Sequence, residues 1–345
     1  MKALRIHAHG GPEVLSLDDI AEPVAGPGQA LVRVLAASIN HLDMWTRRGM
    51  PGVTIPFPRV LGCDGTGEIL ALGEGVSDLI VGQKIILEPG YSDIAQGDAR
   101  FALNDHFAPD YSIRGEHGDG FDQEIVALDA RYCLPLPDGI DPVQAAALPL
   151  VFVTAWGALV TRAALQAGET LLMLAGSSGV GSAAIQIAKD LGARVVATAG
   201  SDAKLDLCRE LGADEVVDHR DETWGKRVKS LTDGAGADVV FEHVGPATWR
   251  NSMGALARNG RLVTCGGTTG PIVKLALPHL FIKNQSVLGS TMGPRVAFPE
   301  ILSKVAAGIY RPVIDSVLPM SEARAAHQRL EDRLALGKLV LIPAE

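Results

Sequence analysis

The chain has few cysteines and few aromatic residues. Its 345 residues include only Cys63, Cys133, Cys208 and Cys265, which are widely spaced and form no CxxC pair. This pattern argues against a disulfide framework and is typical of reduced thiols, so we expect a cytoplasmic protein. Aromatic residues make up 5% of the chain, too few to outline a binding pocket from the sequence.

The sequence also lacks an excess of basic charge and a long apolar run. Its net charge is −9, from 31 basic and 40 acidic residues without a basic cluster, so nucleic acid is not an expected partner. No stretch reads as a signal peptide or as a bilayer span, and no membrane partner is expected. The length and the 47% hydrophobic content predict about two domains with sizeable cores.

The most informative stretch is an apolar run over 170–175 that ends in a glycine-rich turn and continues into an amphipathic pattern. A second apolar run over 194–200 follows at the spacing of a βαβ unit. This context predicts a buried parallel strand feeding a helix whose N-terminus binds a pyrophosphate. A glycine-rich turn of another α/β protein is the alternative. The expected pyrophosphate-binding residues are Gly176, Ser177, Ser178, Gly179, Val180 and Gly181.

The pattern of elements changes along the chain and predicts two domains. Residues 1–130 read as short strands, among them 30–37, 65–73 and 83–87, which favours a partly open β-barrel. Strands and helices alternate over 131–292, which predicts an α/β domain with a doubly wound parallel sheet. Residues 293–345 return to a mixed pattern and are expected to complete the first domain. The strands expected in the second domain are 170–175, 194–199, 215–218, 238–242, 261–265 and 286–288, with helices over 180–191, 204–211 and 248–257.

Four stretches resemble the medium-chain dehydrogenase/reductase superfamily, and the resemblance covers essentially the whole chain. They are 36–43 with 47–49, 60–68, 145–156 and the glycine-rich turn. The resemblance implies a GroES-like barrel domain and a Rossmann domain, with the active site in the cleft between them. It also implies an oxidoreductase that uses a nicotinamide cofactor.

The resemblance divides the family by zinc. Where zinc-dependent relatives carry catalytic ligands, this chain has Asn40, Cys63 followed by Asp64, and Leu150. Asparagine is a poor zinc ligand and leucine is none, so no catalytic zinc is expected. A rearranged site of His41, Cys63 and Asp64 remains the alternative. The chain most resembles the zinc-independent, quinone oxidoreductase-like members.

The structural zinc of similar enzymes is also not expected. Their four cysteines match Asp93, Gln96, Ala99 and Phe107 here, so the lobe keeps its length without a thiolate cage. The acidic and histidine residues of this lobe are interpreted as a solvated surface.

The end of the second Rossmann strand favours NADP(H) over NAD(H). NAD enzymes place an acidic residue where this chain has Ala199. Ser201 and Lys204 are the expected partners of a 2′-phosphate, and His219 or Arg220 closes that pocket. An exposed helix lysine is the alternative for Lys204. Asp202 would repel the phosphate unless it points away from it.

Four residues are the candidates for catalysis. Asn40 is expected to orient the cofactor or the substrate, and Asp64 to serve as a neighbouring polar group. Thr154 matches the family position near the nicotinamide ribose, with a buried helix threonine as the alternative. Asp43 reads equally well as a structural cap. His41 is a weaker candidate for a proton relay.

Two later loops are expected to contact the cofactor through Val244, Gly266 and Gly267, since loops at the carboxyl ends of parallel strands line the ligand crevice. The predicted sixth strand, by resemblance, pairs across a two-fold axis, so a homodimer or a tetramer of such dimers is expected. The leading functional hypothesis is an NADPH-dependent, zinc-independent reductase of quinones or α,β-unsaturated carbonyls. The alternatives are an alcohol dehydrogenase with a degenerate zinc site and a non-catalytic nucleotide-binding relative.

Overall fold

The computed structural model describes residues 1–50 and 52–343. Its strands are β1 (Lys2–Ile6), β2 (Leu15–Asp19), β3 (Gln29–Ile39), β4 (Arg59–Val60), β5 (Asp64–Leu72), β6 (Lys84–Leu87), β7 (Gly90–Tyr91), β8 (Ser112–Ile113), β9 (Ile125–Asp129), β10 (Cys133–Pro135), β11 (Thr170–Met173), β12 (Arg194–Ala199), β13 (Glu215–Asp218), β14 (Ala237–Glu242), β15 (Leu256–Thr264), β16 (Ser286–Gly289), β17 (Ile314–Pro319) and β18 (Lys338–Ile342). Its α-helices are α1 (His41–Arg48), α2 (Ile94–Gly97), α3 (Pro142–Ala145), α4 (Pro149–Trp156), α5 (Gly179–Asp190), α6 (Asp202–Glu210), α7 (Trp224–Leu231), α8 (Pro246–Ala255), α9 (Leu277–Ile282), α10 (Phe298–Ala306) and α11 (Ala323–Glu331).

One compact unit, residues 151–297 with 307–311, is built on a parallel sheet. Its strand order is β13-β12-β11-β14-β15-β16, and each neighbouring pair is parallel. The predicted doubly wound sheet is therefore confirmed. The order reverses between β11 and β14, and in such sheets ligands bind beyond the carboxyl ends of the strands at this point.

The apolar strands of this sheet are covered on both faces, which explains why they read as continuous hydrophobic runs. Leu172 of β11, Val196 of β12 and Val240 of β14 pack in one buried cluster with Trp224 and Trp249 from α7 and α8. This packing gives the sheet a rigid frame from which its loops project.

The other unit contains the described residues up to 150, residues 298–306 and those from 312 onward. Its largest sheet has the order β10-β6-β5-β3-β18-β17, with β9 also paired to β3. Strand β18 runs antiparallel to β3, with Leu339 opposite Ile39 and Leu341 opposite Ala37. The chain therefore returns to this unit late in the sequence and lies beside one of its earliest strands.

The division between the units differs from the expected boundary at 130. Residues 131–150 belong to the first unit because β10 pairs with β6 and because the Leu150 amide donates to Asp64. Residues 307–311 belong to the second unit, where the Arg311 amide donates to Gln186.

Several element bounds differ from the sequence-based prediction, and β15 begins at Leu256 instead of residue 261. Strand β11 ends at Met173 instead of residue 175, because Ala175 adopts a left-handed conformation with φ 50°. Helix α8 ends at Ala255 instead of residue 257, because Leu256 is extended and opens β15. Within the described part of the chain, no helix has the length and apolarity needed to cross a membrane.

Candidate active site and dinucleotide-binding turn

The turn between β11 and α5 leaves no room for a side chain at its closest point. A Cβ on Gly181 would lie 2.4 Å from the Ala175 carbonyl oxygen, and one on Gly176 would lie 2.9 Å from Cys208 Sγ. Ser178 caps the helix by accepting a hydrogen bond from the Gly181 amide at 3.0 Å. The turn thus has the close backbone approach and the helix N-terminus that a pyrophosphate requires.

Ala175 is an outlier within this turn. A left-handed conformation costs a non-glycine residue roughly 1–2 kcal/mol. Its amide donates to Thr198 Oγ1 at 3.1 Å, and its carbonyl accepts from the Ser178 amide at 3.0 Å. Such strain is retained mainly where function needs it, and here it supports the pyrophosphate assignment.

The last residue of β12 is the buried Ala199, so this position carries no carboxylate. Beyond it, Ser201 Oγ accepts from the Lys204 amide at 3.4 Å and caps α6. His219, at the end of β13, lies with Nδ1 3.2 Å from Thr198 Oγ1. A Cβ on Gly200 would lie 2.8 Å from His219 Nε2, so His219 packs closely on the end of β12.

Two charged groups flank this end of the sheet. Arg220 forms a two-point ion pair with Asp218, with Nε 2.9 Å from Oδ2. Its guanidinium also lies 3.8 Å from Asp202, whose side chain is 94% exposed. Asp202 is therefore exposed to solvent and lies beside the Arg220 guanidinium.

Glu242 organises the next loop, and sequence analysis missed this role. Its buried carboxylate accepts hydrogen bonds from the amides of Val244 at 2.7 Å and Gly245 at 3.0 Å. It also accepts from the hydroxyl groups of Thr248 at 3.0 Å and Ser252 at 2.5 Å. The signal in the sequence was an acid at the end of an apolar strand, with hydroxyl residues six and ten positions later.

The loop that follows β15 is hydrogen-bonded to the loop that follows β14. The amide and hydroxyl of Thr269, two residues after Gly267, donate to the Val244 carbonyl oxygen at 2.8 and 2.7 Å. His243 Nε2 lies 2.9 Å from the Leu174 carbonyl oxygen, and burial lowers the pKa of this histidine. The cofactor-binding candidates Val244, Gly266 and Gly267 thus lie in one hydrogen-bonded group of loops.

In the first unit, the zinc-ligand positions of the relatives meet in a buried polar cluster around Lys338. Asn40 Nδ2 lies 2.8 Å from Asp64 Oδ2 and 3.3 Å from Cys63 Sγ. Lys338 Nζ donates to Asn40 Oδ1 and, at 2.9 Å, to Asp64 Oδ2. Lys338 is 4% exposed and Asp64 is fully buried, so this ion pair is shielded from water.

The two aspartates of this region have different surroundings. Asp64 accepts from Lys338 and from the Leu150 amide at 2.7 Å, so both of its oxygens are used. Asp43 accepts from the backbone amides of Asn40 at 2.7 Å and Gly62 at 3.1 Å. Burial raises the pKa of Asp43 to about 6, and its contacts match the structural alternative for this residue.

Two buried groups of this region have a raised pKa, the Cys63 thiol and the Asp122 carboxyl group. Burial and the nearby carboxylates raise the pKa of Cys63 well above that of a free thiol, so the thiol stays protonated. Asp122 was not a candidate from the sequence. It is fully buried, neither carboxyl oxygen has a hydrogen-bond partner among the described residues, and burial raises its pKa well above the usual range.

This donor set does not fit a zinc ion. Leu150 offers only a backbone amide, and the Asn40 oxygen already faces an ammonium group. Over residues 1–50 and 52–343, no group of three or more histidine, cysteine or acidic side chains is placed to hold a metal, the combination of His41, Cys63 and Asp64 included.

The lobe that carries a structural zinc in similar enzymes is held by hydrogen bonds around Asp110. Its carboxylate accepts from Ser92 Oγ at 2.5 Å and from the amides of Asp93 and Ile94 at 2.8 and 3.0 Å. Tyr132 donates its hydroxyl to the Ser92 carbonyl oxygen at 3.1 Å.

Thr154 lies in the second unit on α4. It is 5% exposed, and its hydroxyl lies 3.8 Å from Met292 Sδ. Helix α4 continues into a π-helical segment over Gly157–Arg162, a feature often found at functional sites. The role of Thr154 stays a prediction.

Comparison with known proteins identifies both parts of the chain. The model of the alcohol dehydrogenase GroES-like domain matches residues 26–138, and that of the zinc-binding dehydrogenase matches residues 179–307. A quinone oxidoreductase from Pseudomonas aeruginosa is 32% identical over 354 residues, covering 99% of each chain.

Solved structures are similar to the chain over nearly its whole length. One described as an NAD-dependent alcohol dehydrogenase is 41% identical, with a TM-score of 0.94 and 99% of each chain covered. A crotonyl-CoA carboxylase/reductase in complex with NADP is 25% identical with a TM-score of 0.87, over 99% of this chain and 94% of that one. The expected GroES-like and Rossmann domains are confirmed, and the chain belongs to the medium-chain dehydrogenase/reductase superfamily as an oxidoreductase of that type.

Proposed function

We propose that the chain reduces quinones or α,β-unsaturated carbonyl compounds with NADPH and without zinc. The observation that carries this proposal is the buried Asn40–Asp64–Lys338 network: Asn40 stands at one zinc-ligand position of the zinc-dependent relatives, and Asp64 is next to another, Cys63. A substrate carbonyl must then be polarised by hydrogen bonds instead of a Lewis acid. The similarity to a curated quinone oxidoreductase supports the same substrate class.

The nucleotide-binding residues fit a bound dinucleotide, which supplies the hydride. The pyrophosphate would be held at the turn over residues 176–181, where only glycine fits at Gly181. Val244, Gly266 and Gly267 would hold the nicotinamide half. Ser201, Lys204 and His219, with Arg220, would bind a 2′-phosphate, since no carboxylate at Ala199 competes for the ribose hydroxyl.

We propose that Asn40 donates one of its amide hydrogens to a substrate oxygen. Its Nδ2 donates to Asp64 Oδ2 at 2.8 Å and lies 3.3 Å from both Cys63 Sγ and the Ser38 carbonyl oxygen. We propose that the hydrogen facing Cys63 and Ser38 is the one shared with a substrate carbonyl oxygen. Asp64 and Asp43 hold the amide in place, and Thr154 is proposed to contact the nicotinamide ribose.

A second candidate is an NAD-dependent alcohol dehydrogenase. It is favoured by the 41% identity to the solved structure of that description. The two functions differ in cofactor, in substrate and in the need for a metal, so one set of assays separates them.

The first experiment measures turnover of the purified protein with NADPH or NADH and a benzoquinone or enone, and with NAD⁺ and primary alcohols, each with a chelator or with added zinc. We expect quinone or enone reduction with NADPH, unaffected by chelation. Lys204→Gln should weaken NADPH binding about tenfold by removing a charge from the 2′-phosphate pocket, with NADH unchanged. Lys226→Gln, on the exposed face of α7, is the control. Zinc-dependent oxidation of alcohols with NAD⁺ would contradict the proposal and support the second candidate.

We also propose that two copies associate through β16. This strand is the last in its sheet, and the helix before it exposes Leu277, Phe281 and Ile282 at 63, 66 and 57%. An edge strand beside an apolar surface invites pairing with a second copy.

Phe281→Asp should therefore convert a dimer to a monomer, as measured by light scattering after size-exclusion chromatography. Leu103→Asp is the matched control, because Leu103 is 71% exposed but lies in the first unit. A wild-type monomer, or a Phe281→Asp variant that stays dimeric, would argue against this interface.

A further inference from the structure

Lys338 was absent from the sequence-based candidates, yet it is the cation at the centre of the buried cluster. It is the first residue of β18 and contacts Asn40, which lies between β3 and α1, and Asp64, the first residue of β5. A buried ammonium is costly unless it is paired, and removing one partner of such a pair leaves an uncompensated charge. A lysine at this position therefore requires an explanation beyond packing.

The contacts of Lys338 determine which way the Asn40 amide faces. The oxygen and nitrogen of this amide have nearly the same shape, so packing alone does not distinguish them. In the observed orientation, Oδ1 accepts from the ammonium while Nδ2 donates to Asp64 and approaches Cys63 Sγ. The flipped amide would place NH₂ against NH₃⁺ and an oxygen against a carboxylate.

Lys338 also balances the charge of Asp64. Hydride transfer to the β-carbon of an enone, or to a quinone, leaves negative charge on a substrate oxygen, which a proton from water then neutralises. An unpaired Asp64 carboxylate next to the Asn40 amide would oppose that charge, whereas the ion pair with Lys338 is neutral as a whole.

We propose that Lys338 is a positioning residue for the reduction: its ammonium, between Asp64 Oδ2 and Asn40 Oδ1, fixes which way the Asn40 amide faces and cancels the Asp64 charge. The proposal rests on the proposed function. It gives a role in the reaction to a residue of β18, which lies outside the segment matched by the GroES-like domain model, residues 26–138.

The test uses three variants: Lys338→Met, Lys338→Arg, and Lys338→Met combined with Asp64→Asn. For Lys338→Met we expect kcat/KM for the quinone to fall at least tenfold while the NADPH dissociation constant, measured by fluorescence titration, changes less than twofold. Lys338→Arg should retain part of the turnover because it keeps the charge. The double variant should recover the thermal stability of the wild type but not its kcat, since neither group then orients the amide.

A second readout does not depend on activity. Cys63 contacts Asn40, so loosening of the amide should raise the rate at which a small thiol reagent modifies Cys63, followed by peptide mass spectrometry. Cys133 and Cys208 are also buried and serve as internal controls, whose rates of modification should not change. If the wild type reduces no quinone or enone, the proposed function fails, and this labelling still tests the positioning role.

The proposal would be overturned by a Lys338→Met protein with wild-type kcat, by a double variant that recovers both stability and kcat, or by unchanged labelling of Cys63. If Lys338→Met does not fold, the double variant provides the comparison, because it leaves no buried charge without a partner.

Discussion

Asp122→Asn is expected to stabilise the protein, and more strongly at pH 8 than at pH 5. The Asp122 carboxyl group is fully buried without a hydrogen-bond partner among the described residues, and its pKa is raised well above that of a free aspartate. The folded state therefore keeps a proton that the unfolded state loses. Stability falls by about 1.4 kcal/mol for each pH unit above the unfolded pKa until the folded pKa is reached.

Asparagine has nearly the same shape and does not titrate, so it removes this dependence. The free energy of unfolding from urea titrations at pH 5, 6.5 and 8 gives the difference directly. Asp78→Asn, at an exposed position, is the control and should change stability by less than about 0.5 kcal/mol at any of these values. A loss of stability at pH 8 in Asp122→Asn would mean that the carboxylate is ionised and has a charged partner.

Gly181→Ala is expected to abolish tight dinucleotide binding. The added Cβ would lie 2.4 Å from the Ala175 carbonyl oxygen and 2.8 Å from Gly176 Cα, and backbone atoms at such distances must move. The shift widens the turn that holds the pyrophosphate. We expect the NADPH dissociation constant to rise at least tenfold, about 1.4 kcal/mol or more, and stability to fall by about 1–3 kcal/mol.

The matched control is Gly254→Ala on α8, where nothing lies within 4 Å of an added Cβ. An exposed helix glycine replaced by alanine should stabilise the protein by roughly 0.5–1 kcal/mol and leave NADPH binding unchanged. If Gly181→Ala binds NADPH with wild-type affinity, the pyrophosphate is held elsewhere.

The parts of the fold that sequence predicts well are those with local signals. The strand, the glycine turn and α5 are contiguous, and the apolar strands of a doubly wound sheet can be read from composition alone. The end of β11 differs from the prediction because Ala175 contacts Thr198 of β12, which lies 23 residues further along the chain.

The candidate site was predicted only in part. Asn40 and Asp64 follow from the family motifs, and Asp43 three residues after Asn40 carried the spacing of a helix cap. Lys338, 298 residues from Asn40, has no local signal, since a lysine at the start of a strand is ordinary on a solvated edge. Asp122 was missed for the same reason, because burial is decided by strands that pack over it from elsewhere.

The pairing of β18 with β3 has a consequence for the order of events during synthesis. The ribosome makes Asn40 and Asp64 early, but the ammonium that neutralises Asp64 follows 274 residues later. Until then Asp64 is without its counter-charge, whereas all of the second unit except residues 307–311 emerges as one continuous segment, 151–297. The second unit is thus expected to fold during translation, and the first to mature only when β18 arrives.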